Sequence, residues 1–532
     1  MIIDLRSIPA GEELACDVCI IGGGVAGIAL ALEMIGAGVN VILLESGGFD
    51  YEEETQDLYR GKDVGIPYFE LDLARLRFFG GTSNHWGGWS RPLEPIDFES
   101  RDWVTDSGWP ISFSEFSAHL GRASEILEIP SYDYDAHQAL KSEAPLVGRD
   151  YDRDKKELAE FEEAFDLGLF RFSPPTLMGE RYRADLESAD NIKVLLHANV
   201  TDIGTVRSPD TVDSVAVTTL GGHNCTIKPK KVVLAAGGVE NARLLLTSNK
   251  THHQGLGNTH DLVGRYFADH VEAHTGYILT SDHSHFFNLT AEHRHETRYS
   301  LDLSPSVQRD KKLLNFGFSF HKAPNMSVSA EGVSAAKRLK DNLSKGEWPD
   351  HFFSDLGKAL MDIDDVISFL GSKSDTDQKG LYVIMNKLEP EPNRDSRVLL
   401  GRDKDRLGMP RVELDWQLTE LDYRTIIESQ KLLGKLVGKA GFGRLKMEWD
   451  QDFDGWPANT TGGYHHMGTT RMAATEKQGV VDSNAKVFGI SNLFVAGSSV
   501  FPTFGKVNPT MNLVALTVRL AHYLKAQLGG KK

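Results

Sequence analysis

Between Cys16 and Glu45, three glycines and one carboxylate stand at spacings suited to holding a dinucleotide. Gly22, Gly24 and Gly27 form a GxGxxG turn. The first glycine permits the tight turn, the second lets backbone approach a pyrophosphate, and the third lets helix and strand pack closely. The helix that follows would offer unpaired N–H groups and a positive dipole end to the phosphates. Glu45 lies 18 residues beyond Gly27. A carboxylate there can take both ribose hydroxyls and disfavours a 2′-phosphate, so NADP is disfavoured and NAD or FAD remains. The motif sits at the start of the chain and no second complete GxGxxG follows. That favours a tightly held FAD over an exchangeable NAD.

Other reactive residues carry weaker signals. Cys16 and Cys19 form a CxxC inside an apolar run, which reads as buried strand rather than redox centre. Three cysteines exclude a disulfide framework and a four-cysteine metal or iron–sulfur site. The 19 histidines include His252-His253 and His270, but no HExxH and no paired Cys/His spacing, so no metal is expected. Asn508-Pro509 has the form of a helix start, with Asn as N-cap and Pro as first helical residue.

The elements that must position these groups are legible in outline. Residues 16–21 and 39–44 are continuous apolar runs of the kind found in parallel strands buried on both faces. With a helical run over 28–35 they make one βαβ unit. Further strands are expected over 192–203, 214–219, 231–236 and 492–496, a helix over 239–248, and a long amphipathic helix over 509–528. Residues 276–445 differ: HTGYILT and NFGFSFH alternate as antiparallel strands with one wet face do, and residues 333–374 are charged and helical in places. The expectation is an α/β fold with a discontinuous nucleotide-binding domain over 1–275 and 446–532. An antiparallel-sheet, substrate-binding domain over 276–445 is inserted into it. Residues 130–175 read as an excursion, a lid or an oligomer arm.

The 532 residues carry 58 Lys and Arg against 75 Asp and Glu, a formal charge of −17. An acidic surface repels phosphate backbones, which argues against nucleic-acid binding. The first residues lack the order of a signal peptide, and no apolar run reaches the ~18 residues of a membrane span. The expectation is a soluble cytoplasmic enzyme.

Beyond the glycine turn the sequence resembles the glucose–methanol–choline (GMC) oxidoreductases. The resemblance rests on that turn, on GGTSNHWGG at 80–88, VVLAAGGVENARLLL at 232–246 and LVGRYFADH at 262–270. It continues through PNRDSRVLLGRDKDRLGMPRVELDW at 392–416, HHMGTTRM at 465–472 and VFGISNLFVAGSSVFPTFGKVNPTMNLVALTVRLA at 487–521. SNHW and VNPT look most like the branch of pyranose oxidases and bacterial sugar or glycoside oxidases. The resemblance implies bound FAD and hydride transfer from an alcohol carbon to the flavin, chemistry that no protein side chain can supply.

Residue by residue, the resemblance implies the following. His465 matches the catalytic histidine that takes the hydroxyl proton, and His466 falls on a variable position. Asn508 is its partner on the same hydroxyl, and the helix start at Pro509 and Thr510 faces the flavin. Cofactor contacts fall on Gly22, Gly24, Val25, Ala26 and Gly27, on Glu45 and Ser46, and on Gly81, Thr82, Asn84, His85 and Trp86. Val200 and Gly497 complete the set. His85 occupies the position at which some relatives attach FAD covalently and others do not. The implied reaction is oxidation of a secondary hydroxyl, C2 or C3, of a sugar or glycoside, with O2 or another electron acceptor. The alternatives are a different alcohol, or a lyase that keeps its flavin structurally. A binding protein with a dead flavin site would not keep Glu45, His465 and Asn508 together.

Overall fold

A computed structural model describes residues 1–131, 133–147, 149–280, 297–323, 381–449 and 452–529. The expected helical stretch over 333–374 lies outside them. Among the described residues, two large sheets and one small one are joined by helices. The first sheet runs in the order Ile2–Asp4, Ile192–Leu196, Val41–Leu44, Glu12–Ile21, Asn224–Leu234, Ser214–Thr218, Asn199–Gly204. Its first five strands are parallel, and Leu493–Val495 joins parallel to the end of Asn224–Leu234. Registers align the carboxyl ends: Ile21 pairs with both Leu44 and Leu234, and Leu234 pairs with Val495. The segments that follow these strands therefore emerge side by side, as ligand-binding loops do in open parallel sheets.

The βαβ unit forms where its sequence placed it. Glu12–Ile21 ends in four buried residues, Val41–Leu44 is buried throughout, and the helix Val25–Met34 lies between. That helix begins three residues earlier than its apolar run because Gly24 is its N-cap. A Cβ on Gly27 would stand 1.9 Å from the Gly22 carbonyl oxygen, so only glycine lets the helix start against the turn. The run over 192–203 is two strands rather than one. His197 adopts φ 55° between them and is held there by Asp4 at 2.9 Å and Glu52 at 2.8 Å. The cysteines are free and buried.

The second sheet is antiparallel and runs Gly443–Met447, Val271–Thr280, Leu381–Leu388, Phe316–Ala323, Thr297–Leu303, Phe165–Phe172, Trp89–Ser90. It recruits strands from both sides of the 276–445 span, including Phe165–Phe172 from the 130–175 excursion. The rest of that excursion includes the helices Ala136–Glu143 and Tyr151–Ala159. The C-terminal helix Pro509–Leu528 spans its expected range and packs on Val25–Met34. It is buried around much of its circumference, which makes it a core helix more than an amphipathic surface one. Among the described residues no helix is long and apolar enough to cross a membrane.

Candidate active site

A cavity of about 410 Å³ runs between the carboxyl ends of the parallel strands and the antiparallel sheet. At one end it is lined by Gly22, Gly24, Val25 and Ala26, by Glu45 and Ser46, and by Val200. Gly81, Thr82, His85 and Trp86 line its middle, with Gly497, Pro509 and Thr510. His465 and Asn508 stand at the other end, facing Ser300, Asp302, Ser319, Asn386 and Lys387 of the antiparallel sheet. Gly27 stays behind the turn as a packing residue. Asn84 also turns away, its amide donating to the Phe79 carbonyl at 3.1 Å.

The nucleotide end is a cradle built by close backbone. A Cβ on Gly22, whose φ is 111°, would meet the Ala235 carbonyl oxygen at 2.6 Å. Glu45 is buried, and its two oxygens accept from the Gly23 and Gly47 amides, each at 2.9 Å. The carboxylate thus braces the glycine turn, while its remaining lone pairs can serve a ribose. Two buried imidazole nitrogens in the cavity wall have no hydrogen-bond partner, Nδ1 of His85 and Nε2 of His466. Burial pushes these rings down to about 4 and about 3, so both are neutral near pH 7. A glycine-walled cradle with unpartnered neutral donors and acceptors fits a large, flat, polar cofactor such as FAD.

At the opposite end of the cavity, His465 Nε2 lies 3.1 Å from the amide nitrogen of Asn508, although the residues are 43 positions apart. Asn508 precedes the helix Pro509–Leu528, yet its side chain makes no capping hydrogen bond. Its amide is spent in the cavity instead, where Lys387 Nζ donates to its Oδ1 at 2.8 Å. Lys387 also pairs with Glu272 at 3.1 Å. Burial first, then Lys387 and His270, holds His465 well below its ordinary 6.5. The ring is therefore neutral and able to accept a proton at pH 7.

His270, which in the sequence is only a histidine without metal-ligand spacing, belongs to this site. It is fully buried, and its Nδ1 lies 2.9 Å from Nδ1 of His465. Asp269 beside it accepts from the backbone amides of Gly463 and His465 and from the Tyr68 hydroxyl. Asp269, His270 and His465 are close enough to suggest a metal site. Each is already engaged with protein donors or acceptors, as groups in a hydrogen-bond network are. Lys387, Glu272 and the polar sheet residues were also missed. Of these, only Ser319 lies in a run whose alternation marks a wet face, and that pattern does not tell what faces it.

Residues 392–517 match the sequence model of the GMC oxidoreductase family. Over 96% of this chain and 95% of its own length, the 2-methyl-1,2-propanediol dehydrogenase of Mycolicibacterium austroafricanum is 24% identical. A C-glycoside 3-oxidase of Microbacterium trichothecenolyticum is 35% identical over 127 residues, 24% of this chain and 23% of its own. The fold is that of a crystallised formate oxidase, with a TM-score of 0.57 and 17% identity over 98% of this chain and 99% of that one. The stretch that matches this family model carries both His465 and Asn508, and with the cofactor cradle these likenesses mark an oxidoreductase that uses FAD and acts on CH–OH groups.

Proposed function

We propose that this enzyme oxidises a secondary hydroxyl, at C2 or C3, of a sugar or glycoside to the keto sugar, with O2 or another electron acceptor. The observation that carries the reading is the His465–Asn508 pair, half-buried at the end of the cavity and facing a wall of side chains that can bond several hydroxyls. Ser300, Asp302, Ser319, Asn386 and Lys387 form that wall, with Trp89 and Phe170 as apolar faces for a ring. A glycoside 3-oxidase among the partial relatives supports the sugar reading.

FAD, when bound, supplies the hydride acceptor. The chain's own residues manage the hydroxyl and its proton. Asn508 Nδ2 now donates to His465 Nε2 directly. A substrate hydroxyl can replace that bond, giving its hydrogen to Nε2 while its oxygen accepts from Nδ2. Lys387, on the far side of the Asn508 amide, stabilises negative charge developing on the oxygen. The proton ends on His465, whose Nδ1 lies 3.9 Å from the Asp269 carboxylate.

A second reading, a small non-sugar diol as substrate, is favoured by the diol dehydrogenase that aligns along the whole length. An anaerobic panel of hexoses, glycosides, diols and aryl alcohols, followed by bleaching of the flavin, separates the two. Fast bleaching by a hexose or glycoside, with the ketone at C2 or C3, is the expected result. Faster bleaching by a diol or aryl alcohol overturns the sugar reading.

A further inference from the structure

The nitrogen of His465 that faces the cavity is useful as a base only if it carries no hydrogen. An imidazole buried and neutral has two tautomers, and only one leaves Nε2 bare. Four side chains and one carbonyl around His465 form an unbroken line of hydrogen bonds, and the two ends of that line admit one direction only.

At one end, His270 Nε2 lies 2.8 Å from the Gly505 carbonyl oxygen. A carbonyl only accepts, so Nε2 of His270 carries the hydrogen. His270 is buried and its ring is pushed down to about 3, chiefly by burial, so it is neutral and its Nδ1 is bare. A bare Nδ1 can only accept, and its neighbour at 2.9 Å is Nδ1 of His465. The His465 hydrogen therefore sits on Nδ1, and Nε2 presents a lone pair. The other end gives the same answer independently. An ammonium only donates, so Lys387 fixes the Asn508 oxygen toward itself at 2.8 Å. The Asn508 NH2 is thereby turned to His465 Nε2 at 3.1 Å, where it needs an acceptor.

The Gly505 carbonyl is itself held. Glu389 accepts from the Phe504 and Gly505 amides at 3.0 and 3.1 Å, and Arg101 grips the same carboxylate with two bonds at 2.9 and 3.0 Å. That ion pair is wholly buried.

We propose that His270 is the positioning residue that selects the tautomer of His465, holding the hydrogen on Nδ1 so that Nε2 is the base. The proposal rests on the reading of His465 as the proton acceptor. Once His465 is protonated, the same Nδ1–H···Nδ1 bond becomes charge-assisted, so His270 also favours the product state of proton transfer.

The test is nitrogen NMR on the FAD-loaded, 15N-histidine-labelled enzyme without substrate, with His465 and His270 assigned by single substitutions. His465 is expected to show a protonated Nδ1 and a bare Nε2, and His270 the reverse. His270→Leu removes the acceptor while filling the space, and is expected to move the His465 hydrogen to Nε2 and slow flavin reduction roughly 10–10³-fold. His270→Asn restores an acceptor near the same place, and is expected to return the tautomer and most of the rate. A wild-type His465 with hydrogen on Nε2 overturns the proposal, as does an unchanged tautomer or an unchanged reduction rate in His270→Leu. Should that variant fail to fold, the wild-type signature and the Asn variant decide alone. The nitrogen signature is read without substrate, so failure of the sugar assignment leaves it standing.

Discussion

Replacing His465 by alanine separates the chemistry of this site from its architecture. The substitution removes the ring and both of its hydrogen bonds, 3.1 Å to Asn508 and 2.9 Å to His270. A positioned side chain taking a proton in the transition state is worth roughly 10²–10⁴ in rate. At about 1.4 kcal/mol per factor of ten, the barrier should rise by roughly 3–5 kcal/mol. The folding consequence is smaller. His270 Nδ1 and the Asn508 amide each lose a partner, and a buried group left unsatisfied costs about 1–3 kcal/mol. Both adjoin the cavity, however, and the space vacated by the ring can hold a water that satisfies them. His465→Ala should therefore bind FAD normally, unfold at a slightly lower temperature, and reduce its flavin about 10²–10⁴ times more slowly. Anaerobic stopped-flow in the absorption band of the oxidised flavin reads the rate directly. His466→Ala is the comparison. That ring packs near Tyr68 and Phe267 at 5.8 Å, and its Nε2 has no hydrogen-bond partner in the protein, so its loss should slow reduction much less. A crippled His466→Ala beside a near-normal His465→Ala would show that the base is the neighbouring histidine.

Three further outcomes follow from the geometry. Gly27→Ala places a methyl 1.9 Å from the Gly22 carbonyl oxygen, so helix and turn must separate; flavin content and thermal stability should both fall, and retention of both would refute the close-packing role. Glu45→Ala leaves the Gly23 and Gly47 amides without their acceptor and should weaken FAD binding to the apoprotein, measured by quenching of flavin fluorescence; an unchanged affinity would remove Glu45 from the cofactor site. His465 accepts a proton only while neutral, and its value in the folded enzyme lies below 6.5, so the rate should be fully present at pH 7 and lost only as pH falls through that lowered value. An acid limb at or above pH 7 in kcat/KM for flavin reduction would contradict this, and Lys387→Met, which removes the cation opposing the imidazolium, should move the limb upward.

Local order in the chain was enough for the nucleotide half of the enzyme. A glycine turn, an apolar strand on either side and a carboxylate at the next strand end lie within 30 residues, Cys16 to Glu45, and each acts on its near neighbours. Backbone sterics and burial on both faces then dictate the βαβ unit whatever the rest of the chain does. Asn508-Pro509 likewise marked a helix start, and the helix begins there. What the amide of Asn508 does was not a local matter: the helix needs no cap from it, because Lys387, 121 residues away, and His465 claim both of its ends. His270 was ambiguous for the same reason. Nothing within FADH distinguishes a structural histidine from one that faces the cavity histidine His465, 195 residues later. The direction of a hydrogen bond depends on which partner at its far end can only give or only accept. Those partners, the Gly505 carbonyl and the Lys387 ammonium, reach His465 from the loop before the C-terminal helix and from a strand of the antiparallel sheet. Only the tertiary structure brings them to hydrogen-bonding distance, so the proposed proton acceptor, the polar wall of the cavity and the proposed tautomer all depend on contacts that no local stretch of sequence contains.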